Sequence, residues 1–288
     1  MRAPLLCRLV LSLALYAVAA AGCGRSRGTG PAETETAGPR DSVHADTLLR
    51  YERFPLVNAD SLWALERRLG RERFAAVLKL NRIDLGHARQ GDTLVVPSTF
   101  DRARLSPFPD TLDREWALRK LLLVSARVQA FAAYDSGRLA RWGPTSTGRQ
   151  EKPTPPGLYH TNWRQRRRTS TFDEQWILNW YVNLGNFDGI SLHQYELPGR
   201  PASHSCVRLL EDDAVWLYDW VETWTLAPGD PSRVVRHGTP VVVLDEYAFE
   251  QGRPWKRLPD DPRATDVPAD SIAGALRRWL PTAPDTAP

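Results

Sequence analysis

The chain has 288 residues, 42% hydrophobic and 25% charged, with a formal net charge of +4. This is ordinary globular composition, long enough for one or two domains with real cores, and it excludes a disordered or low-complexity chain. The positive excess is far below a nucleic-acid footprint, so no nucleic-acid partner is expected.

The first residues read MRAPLLCRLVLSLALYAVAAAGCGRS. Arg2 and Arg8 give a positive start, the run from Leu9 to Ala21 is apolar and uncharged, and Ala20, Ala21 and Gly22 precede Cys23. Residues 1–22 read as a secretory signal peptide, too short for a separate spanning helix. The AAGC stretch resembles the lipobox of bacterial lipoproteins. That resemblance implies lipidation of Cys23 after cleavage; ordinary secretion with an incidental cysteine is the alternative. Gly24 is not aspartate, so the inner-membrane retention signal of such lipoproteins is absent. The expected location is the periplasm, with a lipid anchor in the outer membrane. Residues 23–46 are polar and rich in Gly, Pro, Thr and Glu, a flexible linker.

Residues 51–98 form the first patterned region. NADSLWALERRLG places Leu62, Leu65 and Leu69 at helical spacing, with Asp60 or Ser61 as cap and Gly70 as stop. RERFAAVLKLNRI predicts a second helix with Phe74, Val77, Leu78 and Leu80 inward, and GDTLVVP a strand closed by proline. These segments, in this order, resemble a LysM module, a small α+β domain of strand, two helices and strand. The resemblance implies binding to the N-acetylglucosamine backbone of peptidoglycan; a packing domain without glycan affinity is the alternative.

A mainly β domain follows over 118–247. KLLLVSARVQAFAAYDSGRLARWGPTSTG predicts two strands with a turn at DSG. EKPTPPGLYHTNW adds a proline-rich loop and a strand, WILNWYVNLGNFDGISLHQYEL further strands, and GTPVVVLDEY a closing strand. DAVWLYDWVETW predicts a helix with Val215, Trp216, Trp220 and Trp224 on one face. RQRRR, Arg164 to Arg168, reads as a solvated loop. Residues 248–288 form a C-terminal extension with one helix, ADSIAGALRRWL, and no assigned function.

Of the three cysteines, Cys7 leaves with the signal peptide and Cys23 carries lipid, so Cys206 is the one thiol left in an oxidising compartment where thiols normally pair. It lies in PASHSCVRLL. A thiol attacks a carbonyl as thiolate, which needs a nearby base or positive charge. His193 closes the strand GISLH. On an extended chain His204, Cys206 and Arg208 face one side. The alternative is a buried, inert cysteine.

SHSCVRL resembles the SHGCVRL signature of the L,D-transpeptidases, the YkuD-type catalytic domain. VQAFAAYDSGRLARWGPTSTG, KPTPPGLY, DGISLH and GTPVVV match that family's flanking strands and loops in order, over Leu121 to Leu244. The resemblance implies a β-sandwich or barrel with a helix after the nucleophile. It implies Cys206 as nucleophile, His193 as base oriented by a backbone carbonyl near Gln194, and His204 as support for the thiolate. It also implies an oxyanion hole from the N–H groups of Ser205 and Cys206, and Arg208 for a substrate carboxylate; a structural salt bridge is the other reading of Arg208. Ser203, Trp180 and Tyr181 are further candidates for substrate contact, and Trp176 for the same groove. Ser205 departs from the signature glycine. Only thirteen positions separate His193 from Cys206, so YELPGRPA must be a tight loop.

The implied activity is L,D-transpeptidation: a cysteine thioester forms on a stem-tetrapeptide donor of peptidoglycan and an acceptor amine resolves it, giving a cross-link or an attached protein. Hydrolysis by the same cysteine, as an L,D-carboxypeptidase, and non-catalytic wall binding are the alternatives. The chemistry needs no metal and no cofactor. His160, His193, His204 and Cys206 are zinc-ligand types but lack a zinc spacing.

Overall fold

Long apolar runs interrupted by charged turns dictate a sheet buried on both faces. The computed structural model describes residues 49–101, 103–171 and 173–280. The signal-peptide, lipobox and linker readings on residues 1–46 lie outside them.

In the N-terminal module, β1 (Tyr51–Pro55) pairs antiparallel with β2 (Thr93–Pro97), and α1 (Ala59–Leu69) and α2 (Arg71–Leu80) lie between them in sequence. Helix α1 starts two residues earlier than expected. Asn58, not Asp60 or Ser61, is the cap: its N–H donates to Ser61 Oγ at 3.2 Å, and the Ser61 hydroxyl donates back to Asn58 Oδ1 at 2.8 Å. Leu65, Phe74 and Val77 bury with Leu94 and Val96 in one small core, and Leu62, Leu69 and Leu78 pack at its edge. Leu80 turns instead to a second cluster with Val95, Trp255 and Leu258.

Nine strands build the large sheet: β3 (Lys120–Ser125), β4 (Ala130–Asp135), β5 (Arg138–Ser146), β6 (Gly157–His160), β7 (Arg164–Thr169), β8 (Ile177–Asn183), β9 (Ser191–Gln194), β10 (Val207–Leu209) and β13 (Pro240–Val243). Their order is β6-β13-β3-β4-β5-β10-β9-β8-β7. The pairs β13–β3 and β10–β9 run parallel. Side-chain alternation divides the central strands between two cores. Leu122, Val124, Phe131 and Ala133 face one side, with Leu192, Val207, Ala214 and Leu217. Leu121, Leu123, Ala130, Ala132 and Tyr134 face the other, with Ile272 and Leu276. Each such leucine contributes about 2 kcal/mol by burial.

The opening stretch holds three strands, not two. The missed turn, Ala126–Gln129, carries neither Gly nor Pro; Gln129 takes φ 50° and its amide donates to Ala126 O at 2.6 Å and Thr147 Oγ1 at 2.7 Å. RQRRR is no loop but the edge strand β7, where arginines discourage pairing with a further chain. Helix α3 (Glu211–Trp220) ends before Trp224, and it buries Asp213, Ala214 and Leu217 rather than the expected tryptophan face. The cause is Asp213, drawn inward to accept from Lys79 at 3.0 Å and pair with Arg141 at 2.6 Å. An unforeseen polar hairpin, β11 (Thr225–Ala227) and β12 (Asp230–Arg236), follows α3.

The C-terminal extension is structural cement. Helix α4 (Ala269–Trp279) covers the second core, while buried Trp255 and Leu258 pack the extension onto Leu80 and Val95 of the module.

Candidate active site

The register of β9 against β10 assembles the site. Val207 lies opposite Leu192 and Arg208 opposite His193. Val207, Leu209 and Leu192 point into the core, so Cys206 and Arg208, with Ser191 and His193, share the other face. The strands are about 4.8 Å apart. His193, Cys206 and Arg208 line one open cleft with Ser203, His204, Tyr195, Ser170, Trp176 and Leu178.

The thiol is partly buried. Cys206 Sγ lies 3.2 Å from Ser191 Oγ and donates to Gly189 O at 3.2 Å. Burial pushes the thiol pKa up, against the hydrogen bonds from Ser191 and the charge of Arg208, which pull it down. His193 is almost fully buried, and its Nδ1 lies 3.0 Å from Gln194 O. A carbonyl can only accept, so Nδ1 carries the proton and Nε2 keeps the lone pair of a base. Burial lowers His193 to about 4, with Arg208 acting in the same direction and the Gln194 bond opposing. Near neutral pH the two groups therefore rest uncharged, with less thiolate than the few per cent of a free cysteine.

Arg208 lies over the Tyr195 ring at 4.5 Å and donates to Glu196 O at 3.4 Å. Among the described residues no carboxylate forms an ion pair with it. His204 lies beside the Trp176 ring at 5.1 Å; burial first, then Arg149, Arg208 and Lys152, lower its pKa. Arg149, Arg208 and Lys152 thus set a positive field at His204.

Ser205 has φ 78°, the left-handed region that favours glycine. Thr154 holds that shape: its hydroxyl donates to Ser205 O at 2.9 Å and accepts from Gly148 N at 2.9 Å. A Cβ on Gly148 would stand 2.1 Å from Lys152 O, so only glycine fits. Ser203 Oγ donates to Cys206 O.

Trp180 and Tyr181 do not line this cleft. Trp180 packs on the core and against Tyr218, and Tyr181 is buried against Trp163. Trp176 does line it. His160 packs against His237, their tilted rings 4.5 Å apart between centroids, and does not line the cleft. Sequence reasoning missed Ser191, Thr154 and Tyr195. Ser191 was legible in principle, two residues before His193 on the same strand face; Thr154 depended on a loop contact that no periodicity carries.

A thiol, a rigid neutral imidazole and an available guanidinium in one cleft are the groups that acyl transfer through a cysteine requires. Residues 119–243 match the YkuD family, the L,D-transpeptidase catalytic domain, so this stretch carries that domain. The match spans fewer than half of the 288 residues. Among solved structures, an L,D-transpeptidase from Mycobacterium smegmatis is 20% identical, with 44% of this chain and 59% of that one covered and a TM-score of 0.35. An L,D-transpeptidase from Stackebrandtia nassauensis is 17% identical, covering 65% and 78%, TM-score 0.38. One from Mycobacterium tuberculosis H37Rv is 19% identical, covering 66% and 87%, TM-score 0.35. Over three of the mycobacterial and related structures the chain spans 58%, 59% and 60% of the other chain's length. No curated protein matches.

Proposed function

We propose that the protein is an L,D-transpeptidase that joins peptidoglycan stem peptides through a thioester on Cys206. The observation that carries the reading is the common cleft of Cys206, His193 and Arg208 within the YkuD stretch.

In the first half-reaction His193 Nε2 takes the thiol proton as sulfur attacks the amide carbonyl before the terminal D-residue of a donor stem. The N–H groups of Ser205 and Cys206 receive the oxyanion. The C–N bond breaks, imidazolium returns its proton to the departing D-alanine nitrogen, and a thioester remains. In the second half-reaction an acceptor amine attacks the thioester, passes a proton to His193, and the C–S bond breaks to regenerate the thiol. One amide is exchanged for another, so no nucleotide and no metal is required. Arg208 meets a stem carboxylate, and the lack of an ion-paired carboxylate among the described residues supports this over a structural salt bridge. His204 and its cationic neighbours favour the thiolate as it forms.

On this reading the module over 51–98 is LysM-like and holds glycan strands near the cleft; its strand–helix–helix–strand order supports that. Cys23 carries lipid that anchors the enzyme at the outer membrane, facing the wall from the periplasm. Purified enzyme lacking residues 1–22 tests the proposal on defined muropeptides by mass spectrometry. A cross-linked dimer with loss of D-alanine supports it; trimmed monomer alone assigns hydrolysis instead.

A further inference from the structure

His193 lies on β9 and Cys206 immediately precedes its paired strand β10, and the N-terminal module grips the middle of the loop that joins them. Leu197, fully buried, has both backbone groups bound by one residue of that module: its N–H donates to Asp84 Oδ2 at 2.7 Å, and its carbonyl accepts from Asp84 N at 3.1 Å. Gly199 N donates to Arg82 O at 3.0 Å, and Ile83 bridges Pro198 as in an antiparallel pair. Gly199 takes φ 69°, and a Cβ there would stand 2.8 Å from Ile83 Cγ2, so the loop sits against the module with no room to spare.

Each side of this junction is independently fixed. Asp84 Oδ1 pairs with His87 Nδ1 at 2.8 Å, which orients the carboxylate. Arg82, buried, donates its Nε to Val128 O at 2.9 Å and its Nη1 to Lys79 O and Leu80 O, and lies between the rings of Trp142 and Trp255. Beyond the grip, Ser146 Oγ donates to Arg200 O at 2.7 Å, and the N–H groups of Ala202 and Ser203 donate to Thr147 O. The chain from His193 to Cys206 is therefore held at the module first and at the turn before Gly148 second.

We infer that Asp84 is a positioning residue: through Leu197 it fixes the loop joining β9 to β10 and so supports the strand register that brings His193 and Cys206 into one cleft, which makes the N-terminal module part of the catalytic framework and not only an appended binder. The inference rests on the reading of Cys206 and His193 as the reacting pair. A loop released at its centre holds the two strand ends less firmly, and a misplacement of about 1 Å can cost about a hundredfold in rate.

The test compares wild type, Asp84→Ala, Asp84→Asn, Gly199→Ala and Ile272→Ala in the same protein lacking residues 1–22. Ile272 lies in the core under α4 and serves as a control for lost stability alone. Two readouts are taken: the pH profile of Cys206 alkylation by iodoacetamide, and the rate of acylation by a carbapenem. Asp84→Ala and Gly199→Ala, entering the contact from opposite sides, are expected to slow both roughly tenfold or more and to displace the alkylation profile. Asp84→Asn keeps an oxygen acceptor for Leu197 N–H and is expected to stay within about threefold. Ile272→Ala is expected to melt lower yet react at the wild-type rate. Wild-type reactivity in both Asp84→Ala and Gly199→Ala, or an equal loss in Ile272→Ala, overturns the inference. Absence of any acyl adduct in wild type, with alkylation still responding to Asp84→Ala, overturns the transpeptidase reading and leaves the positioning role standing.

Discussion

Ser205 carries a cost that can be measured. Its φ of 78° costs a non-glycine residue about 1–2 kcal/mol. Replacing it with glycine removes that cost but adds freedom to the unfolded chain, worth about 0.4–1 kcal/mol. The Ser205 Oγ bond to Lys152 O, 3.3 Å and exposed, complicates a direct comparison with serine. Ser205→Ala removes the hydroxyl and keeps the strain, so it is the proper reference. Ser205→Gly should exceed Ser205→Ala in stability by about 0.5–1 kcal/mol, which for a domain of this size is about 1–4 °C in melting temperature. Thermal unfolding at constant pH reads the difference. Since Thr154 holds the Ser205 carbonyl in either variant, carbapenem acylation should stay within about threefold of wild type. Equal or lower stability of the glycine variant would refute the strain argument.

Thr154→Val should leave the Gly148 N–H and the Ser205 carbonyl without their partner and cost about 2–4 kcal/mol in denaturant unfolding, with slower thiol acylation. Asp213→Ala should lose about 2–3 kcal/mol at unchanged m-value, less than for a fully buried pair because Lys79 and Arg141 can each reach water. His193, lowered to about 4, should remain a neutral base down to that pH, so acylation should hold from about pH 8 to pH 5 and fall below it; a half-maximal rate near 6.5 would contradict its burial. The same depression sets the sign for stability: the folded state binds the His193 proton more weakly than the unfolded state, so stability declines as pH drops from about 6.5 to about 4, by about 3 kcal/mol, and a His193→Gln variant should lose that slope.

The grouping of the cleft residues was legible because it is local. Cys206, His204 and Arg208 lie within five residues, and two-residue periodicity puts alternate side chains on one face. The strands LLLV and AFAAY were legible as apolar runs, though not the turn between them, since Gln129 takes its positive φ through side-chain hydrogen bonds that no turn signal announces. Helix α3 misled because tryptophans dominate its pattern, while the buried group is a carboxylate whose partners, Lys79 and Arg141, lie far away in sequence. RQRRR misled because solvated charge is common to loops and edge strands alike. The grip of Asp84 on Leu197 joins residues 113 positions apart and left no trace in either local pattern.

Whether Cys206 performs covalent chemistry is decided by the intact mass of the protein after incubation with a carbapenem, wild type beside Cys206→Ala. The account predicts one added drug mass on wild type and none on the variant. Equal adducts on both, or none on wild type, would contradict it.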